Sequence, residues 1–385
     1  MTKDRREKPG KPTIRTVAEH VDLSPATVSL ALRGDQSIPF DTRQRVLKAA
    51  EELNYDYKPR SQQGDRTVTR IAFVAKDYGD YPMTLNPFYG QTLHGVELRC
   101  RVEKVDLSFV TLPQGFRESS PLPPALSQNL DGILLASPYP NWALDRLRRE
   151  TGARIVLVDH SLPGQPYDSV MADDFGGGFQ ATQYLLEHGH TEIVAVTGKT
   201  PQPGPIPDFE LRYWGYCAGC REVGVTPRPA AVLPSAANDF DNEHRGQALR
   251  AWLEPFLEEP SPPTAFFALG DVFAIGILSA LRDLGYSVPE DVSVIGFDDT
   301  DISSVTNPPL TTVHVYKRMM GKMAVDRLLE RVEGDDRPAT RLRVGTDLVV
   351  RESVGQVRGD LHTRRTEPLE LSRPPLQQGN LYPRG

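Results

Sequence analysis

Two kinds of hydrophobic spacing divide the chain. Up to about residue 54 the apolar residues Val17, Val21, Val28, Leu32, Val46, Leu47 and Leu53 recur at helical intervals, separated by polar positions. This pattern predicts three short helices that close one small core. The first spans Ile14 to His20, and Val21-Asp22-Leu23 forms a tight turn. Ser24 is suited to cap a second helix, with Pro25 at the first helical position, where its missing N–H costs nothing. That helix runs through Leu32 and stops near Gly34, a residue suited to a left-handed exit. Asp41 is expected to cap a third helix, with Gln44 three places on completing a capping box.

From Arg70 the spacing changes. Short β-branched runs alternate with longer amphipathic stretches. The expected strands are Ile71–Ala75, Val105–Leu112, Gly132–Ala136, Ile155–Asp159, Ile193–Thr197, Ala265–Leu269 and Val292–Phe297. Helices are expected over Pro87–Arg101, Phe175–His188, Leu211–Val223, Glu243–Phe256 and Asp271–Leu284. Such alternation predicts an α/β fold with parallel sheets covered on both faces, and there is enough chain for two of them. Between the two regions, residues 58–69 read as a linker.

A helix, a tight turn and two further helices is the layout of a helix-turn-helix reader, whose second helix enters the major groove of DNA. The other reading of the same segment is a three-helix corner of a larger enzyme. Charge leans toward the first. Residues 1–60 carry 12 Lys/Arg and 9 Asp/Glu, whereas the whole chain is −7. A basic head on an acidic body suits an anionic partner at one end. Residues 1–12 read as a flexible basic arm.

The remaining chemistry excludes more than it adds. No apolar run has the length of a membrane span, and the first residues lack a hydrophobic signal segment, so the protein is expected in the cytoplasm, at the nucleoid. Cys217-Ala-Gly-Cys220 has no second pair and no His at ligand spacing, so we read packing thiols inside a helix and no metal site. No G-x-G-x-x-G follows the first strand, and Gly176-Gly177-Gly178 lies within a helix, so no dinucleotide cofactor is expected. No nucleophile elbow, metal motif or phosphate loop points to an enzyme.

TVAEHVDLSPATVSLALRG, with Ala18, Val21, Ser24, Thr27-Val28-Ser29 and Leu32, resembles the head of the lactose-repressor/galactose-repressor family of bacterial regulators. Thr42-Arg43 and the run from Val46 to Tyr55 extend the match. Further on, the run from Gly285 to Asp299 and Pro308-Pro309-Leu310-Thr311-Thr312-Val313 resemble the family's signature, and the likeness continues to about Ser353. The resemblance implies a DNA-binding domain over 13–57, a hinge over 58–69 and a two-lobed, Rossmann-like effector and dimerisation domain over 70–354. Residues 355–385 are left as a polar tail expected to be disordered. The lobes are expected to be crossed near His160–Leu162, Val288–Asp291 (or just beyond) and Leu310–Val315. The family's tetramerising leucine heptads are absent, which makes a homodimer the expected state, with Leu93–Val96 in the interface.

By the same resemblance, Pro25, Ala26 and Leu30 face the bases, with Ser29 within reach. Short apolar side chains of this kind meet thymine methyl groups rather than hydrogen-bonding base edges. Thr13, Ser24, Thr27, Ser37, Thr42, Arg43 and Tyr55 are expected at phosphates, where they position the domain without reading sequence. Arg33, just past the helix, suits either role. In the family a Leu of the hinge wedges into the minor groove, but here no apolar residue lies between Pro59 and Val68. The wedge is expected to be missing, and with it its share of DNA bending.

Ligands of open α/β sheets bind outside the carboxyl ends of strands. The candidates there are Asn86 and Phe88 (Asn-Pro-Phe-Tyr, resembling the family's Asn-Pro-Phe-Phe), Tyr139 and Trp142, Asp173 and Phe175, Arg212, Phe240, Asp271 and Asp299. The resemblance implies that Arg212 contacts ligand hydroxyls or a carboxylate and that Asp271 belongs to an Asn-Asp pair, with Gly270 in place of Asn. A donor fork, a two-oxygen acceptor and flat aromatic faces suit a sugar. The competing readings are ordinary ones: an Asp before a helix caps it, and a lone aromatic packs in the core. The pair Asp298-Asp299 after the Gly-Phe strand is read either way. The expectation is a dimeric repressor of operator DNA released by a small molecule, most naturally a sugar. The rivals are a corepressor or partner protein as trigger, or a plain sugar-binding protein.

Overall fold

The computed structural model describes residues 12–32, 38–53, 55, 69–76, 86–113, 115–126, 129–162, 164–198, 207–234 and 244–357. They divide into two units, the head and the body from Thr69 onward.

The head is three helices, α1 (Ile14–Val21), α2 (Pro25–Leu32) and α3 (Phe40–Glu52). Val17, Ala18, Val21, Val28, Ala31, Leu32, Val46, Ala49 and Ala50 are buried together, with Leu47 and Leu53 packed against them. α1 begins with a capping box between Thr13 and Thr16, and Asp22 ends it in the left-handed region. Ser24 Oγ accepts from the Thr27 amide at 3.0 Å, as expected of a cap. The cap of α3 differs from expectation. The Arg43 amide already donates to the Pro39 carbonyl, so α3 starts before Asp41, which lies in its first turn. There its charge still favours the positive helix end.

The body holds two sheets of the same winding. The first runs β1 (Arg70–Lys76), β2 (Asp106–Leu112), β3 (Gly132–Ala136), β4 (Arg154–Val158), β5 (Asp168–Ala172) and β11 (Arg341–Val344), in the order β11-β5-β4-β3-β1-β2 and entirely parallel. The second holds β6 (Ile193–Thr197), β7 (Ala231–Val232), β8 (Ala265–Ala268), β9 (Ser293–Asp298), β10 (Thr311–Val315) and β12 (Thr346–Val349), in the order β12-β10-β9-β8-β6-β7. Only β12 runs antiparallel. Buried parallel strands need apolar residues on both faces. Phe73, Leu134 and Val156 face one side of the first sheet, under α4 (Pro87–Glu103) and α10 (Lys317–Val332). Val74, Leu135 and Leu157 face the other, under α5 (Asn141–Thr151). The second sheet is covered by α6 (Asp174–Glu187) and α7 (Pro207–Glu222) on one side, and by α8 (Arg245–Leu257) and α9 (Asp271–Asp283) on the other.

The seven expected strands and five expected helices of the body form, within a few residues at their ends. Two of the expected crossings do not. After His160–Leu162 the chain adds β5 to the first sheet, paired with β4, and leaves only at Ala172–Asp174. Val288–Asp291 joins α9 to β9 within the second lobe. The second crossing follows β10, at Val315–Lys317, just past the expected Leu310–Val315. The third is the single step through Gly345 from β11 to β12. Cys217 and Cys220 are free, buried thiols in α7. Among the described residues no helix is long and apolar enough to cross a membrane.

Candidate functional site

On α2 the buried residues Val28, Ala31 and Leu32 fix which face is left for a partner. Pro25 and Ala26 are exposed, Ser29 and Leu30 half-buried, and 25 and 29 and likewise 26 and 30 are neighbours at helical spacing. Thr13 and Ser24 are exposed; Thr27, Thr42, Arg43 and Tyr55 are half-buried. Arg33 and Ser37 lie outside the described residues, as does the hinge from 56 to 68. Sequence reasoning missed Arg45, whose Nη2 donates to the Val21 carbonyl at 3.1 Å and so ties α3 to the end of α1.

In the body, the carboxyl ends of both sheets face one cleft. Apart from two residues that end helices (Asp22 and Lys104), the described non-glycine residues with positive φ are Ser137, Asp159, Asp298 and Asp299. They follow β3 and β4 and end or follow β9. Strained backbone collects at sites where function has fixed it.

Arg212 is at the centre, 1% exposed. It is carried on α7, which approaches α6 closely because a Cβ on Gly178 would lie 2.3 Å from the Arg212 carbonyl oxygen. That approach brings Arg212 Nε to Asp174 Oδ1 at 2.9 Å, while its Nη1 donates to the Leu269 carbonyl at 2.7 Å and lies 3.1 Å from Asp298 Oδ1. The guanidinium stacks 4.0 Å over the Phe297 ring. Burial opposes its charge, but Asp298, Asp174, Asp208 and Asp159 outweigh burial and hold it firmly protonated.

The carboxylates are pushed the other way. Burial, reinforced by neighbouring carboxylates and opposed by Arg212, raises Asp298 to about 7 and Asp208 to about 6. Asp174 and Asp159 are raised for the same reason. Tyr89 donates its hydroxyl to Asp159 Oδ2 at 3.2 Å. Lys317, at the second crossing, donates to the carbonyls of Asp298, Asp299 and Val315, and its Nζ lies 5.9 Å from the Phe88 ring. Several buried atoms at these strand ends have no partner: Ser137 Oγ, Asp159 Oδ1, His160 Nε2 and Asp174 Oδ2. Buried polar atoms are normally satisfied, so such a group calls for an explanation.

The expected residues fare unevenly. Asn86 caps α4, accepting from the Phe88 and Tyr89 amides at 3.0 and 3.3 Å, and Phe88 is buried beside Lys317. Asp173 caps α6 through the Gly176 amide at 3.2 Å, and Phe175 in the first turn is exposed. Asp271 does not offer its oxygens to the cleft. It is fully buried, taking Thr312 Oγ1 on one oxygen and the Thr300 amide and Ser303 hydroxyl on the other, and so pins the loop after β9. Asp299 neither caps nor stands free: it accepts from Arg351 Nη2 at 2.6 Å and pairs with His314 Nδ1 at 2.8 Å. Tyr139 and Trp142 leave the set. They pack in the cluster under α5, on the far face of the first sheet, where Trp142 stacks on Phe116 at 5.7 Å. Trp142 lies in the first turn of α5 and Tyr139 just before it, so both follow that helix onto this face. Phe240 lies outside the described residues. Sequence reasoning missed Asp159, Asp208 and Lys317, and placed Tyr89, Asp174 and Asp298 only within the stretches around Asn86, Asp173 and Asp299. The signal for Asp159 and Asp298 was their place at the carboxyl ends of parallel strands.

A three-helix head of helix-turn-helix layout and a body of two doubly wound lobes together define a class, the transcription regulators with a DNA-binding head. The comparisons narrow it. Residues 13–57 match the model of the bacterial regulatory proteins of the lacI family, and residues 182–354 that of the periplasmic binding protein-like domain. The HTH-type transcriptional repressor PurR of Aliivibrio fischeri (strain ATCC 700601 / ES114) is 31% identical over 347 residues, covering 89% of this chain and 98% of the relative. PurR of Haemophilus influenzae (strain PittEE) is 31% identical over 352 residues, covering 90% and 99%. Among solved structures, the complex of the transcriptional regulator CelR with cellobiose is 27% identical, covers 89% of this chain and 99% of that one, and has a TM-score of 0.59. The lac repressor dimer bound to operator and the anti-inducer ONPF shares the fold at a TM-score of 0.62 and 22% identity, covering 90% and 100%. The chain belongs to the lacI family and is a DNA-binding transcriptional repressor of it.

Proposed function

We propose that the protein is a dimeric repressor whose affinity for a near-palindromic operator is set by a small molecule, a sugar or sugar derivative, held between the two lobes of the body. The observation that carries this reading is the set of buried, unpartnered polar atoms on the facing strand ends, Ser137 Oγ and Asp159 Oδ1 on the first lobe and Asp174 Oδ2 at the start of the second. The cellobiose in the CelR complex supports the sugar class. α2 presents Pro25, Ala26, Ser29 and Leu30 to the major groove, with Thr42 and Arg43 at the phosphates. Three crossings of the chain let the lobes close around a ligand, and a coupling of about 1–3 kcal/mol changes operator occupancy several-fold. The protein acts in the cytoplasm on chromosomal DNA, and no enzymatic step is assigned to it.

The test is selection of bound sequences from random duplex DNA by the full-length protein at about 150 mM salt, which suppresses purely electrostatic binding. Enrichment of a palindrome with half-sites about one turn apart is expected. Release from that operator is then measured across a sugar panel. No enriched site, with or without sugars, refutes the reading.

A further inference from the structure

The charge of the cleft narrows the ligand further, granted the reading above that the cleft holds the effector. Asp159, Asp174, Asp208, Asp271 and Asp298 act on one another or on shared partners there. Among the described residues the buried cations that answer them are Arg212 and Lys317, and exposed Arg343 adds a more distant charge beside Asp174. Arg212 gives Nε to Asp174 Oδ1 and Nη1 to the Leu269 carbonyl and Asp298 Oδ1. Lys317 spends its own on the carbonyls of Asp298, Asp299 and Val315. Two acceptor oxygens are left over, Asp159 Oδ1 and Asp174 Oδ2, on side chains 5% and 1% exposed. They come from opposite lobes and lie within electrostatic reach of each other. When ionised both are acceptors only, and burial with the neighbouring carboxylates raises both pKa values; a cation between the two oxygens is what would keep both ionised and partnered.

His160 repeats the pattern. Its Nδ1 faces the Val158 carbonyl at 3.0 Å and must therefore carry the proton, which leaves the unpartnered Nε2 as an acceptor. Burial drops its pKa to about 4, so Nε2 stays unprotonated near neutrality.

We propose that the effector carries a protonated amine, as an amino sugar does, and that its ammonium bridges Asp159 Oδ1 of the first lobe to Asp174 Oδ2 of the second. An ammonium brings three donors and a positive charge, so it supplies the missing partners and offsets the surplus carboxylate charge in one group. A hydroxyl supplies one donor and no charge. An anionic sugar, such as a sugar phosphate, is repelled.

The experiment is titration calorimetry on the full-length protein at pH 7 with matched ligands: D-glucosamine against D-glucose and N-acetyl-D-glucosamine, and D-galactosamine against D-galactose and its N-acetyl form. The amine is expected to bind about 10-fold or more tightly than its hydroxyl and N-acetyl counterparts. Asp159→Asn is expected to remove that preference. Its folding is checked by its melting transition, and Tyr89→Phe, which keeps the carboxylate, is expected to retain the preference. Equal or tighter binding of a neutral sugar overturns the amine while leaving the cleft reading intact. A preference that survives in Asp159→Asn overturns the bridge. No binding by any amine of the panel also overturns it, and if the neutral sugars fail as well, the sugar reading falls with it.

Discussion

Replacing Arg212 by Met removes the charge that holds the cleft carboxylates while keeping much of the side chain's bulk against Phe297. Arg212 sits 2.9 Å from Asp174, 3.1 Å from Asp298 and 4.0 Å from the Phe297 ring, 1% exposed. Removing one partner of a buried ion pair costs about 3–5 kcal/mol, because the other charge stays buried without compensation. For a body of this size that lowers Tm by roughly 6–20 °C. The loss must depend on pH. Asp174 and Asp298 are already raised by burial, with Arg212 opposing the rise. Without Arg212 they rise further. A carboxylate whose folded pKa lies above its unfolded value contributes stability that is complete below the unfolded pKa and is lost as pH climbs through the folded one. The deficit of Arg212→Met is therefore smallest near pH 5 and largest near pH 8. Melting followed by circular dichroism at both pH values, on the full-length protein, measures it. Adding Asp174→Asn to the variant is expected to recover part of the loss at pH 8 only. A deficit that is the same at both pH values, or smaller than about 1 kcal/mol, refutes the argument.

The unmodified protein carries a related signature. Asp298, raised to about 7, and Asp208, raised to about 6, lose stability as pH climbs through those values, whereas Asp299 and Asp168, held low because their Arg and His partners outweigh burial, lose theirs only below the ordinary carboxylate range. His160 and His190, dropped to about 4 by burial, oppose them, because their stability is lost as pH falls below the ordinary histidine range; chemical denaturation across pH is thus expected to show greatest stability between about pH 5 and 7, falling on both sides. Gly178→Ala sets a Cβ 2.3 Å from the Arg212 carbonyl oxygen and is expected to cost about 1–3 kcal/mol in the melting transition of the body, as α6 and α7 are forced apart. Ser24→Ala deletes the cap that accepts the Thr27 amide and is expected to destabilise the head by about 1 kcal/mol, read by hydrogen exchange of α2. Arg43→Ala is expected to weaken binding to every DNA sequence alike and to reduce the slope of log affinity against log salt by about one, measured by fluorescence anisotropy.

The head was legible almost residue by residue, because each of its short helices announces itself locally. The spacing of Val17, Val21, Val28, Leu32 and Val46 names the core, and Ser24-Pro25 marks the start of α2. The cap of α3 was misplaced because Pro39 and Asp41 are both suited to a helix start, and only the Arg43 amide bond to the Pro39 carbonyl separates them. In the body, strands that are apolar on both faces and helices of a dozen or more residues were legible for the same local reason. β5, β7, β10, β11, β12, α5 and α10 were not: the strands are short, and both helices mix charged and apolar residues along their length.

The site divides along the same line. Local pattern fixes which residues end strands and begin helices, and so it points to Asn86, Asp173 and Asp271 as residues near a cleft, whereas Arg212, inside α7, was pointed to by the family resemblance. It does not say which oxygen is already engaged. Asp271 looks like a ligand acceptor until Thr300, Ser303 and Thr312, from 29 to 41 positions away, converge on it. Asp159 looks like the last residue of a strand until the other lobe brings Asp174, Asp208 and Asp298 within reach of its charge. Helix, strand and cap are decided over a few residues by backbone sterics and hydrophobic spacing, which any chain carries in its order. Whether a carboxylate is paired, orphaned or pushed up in pKa depends on side chains that meet only after the chain has crossed three times between its sheets.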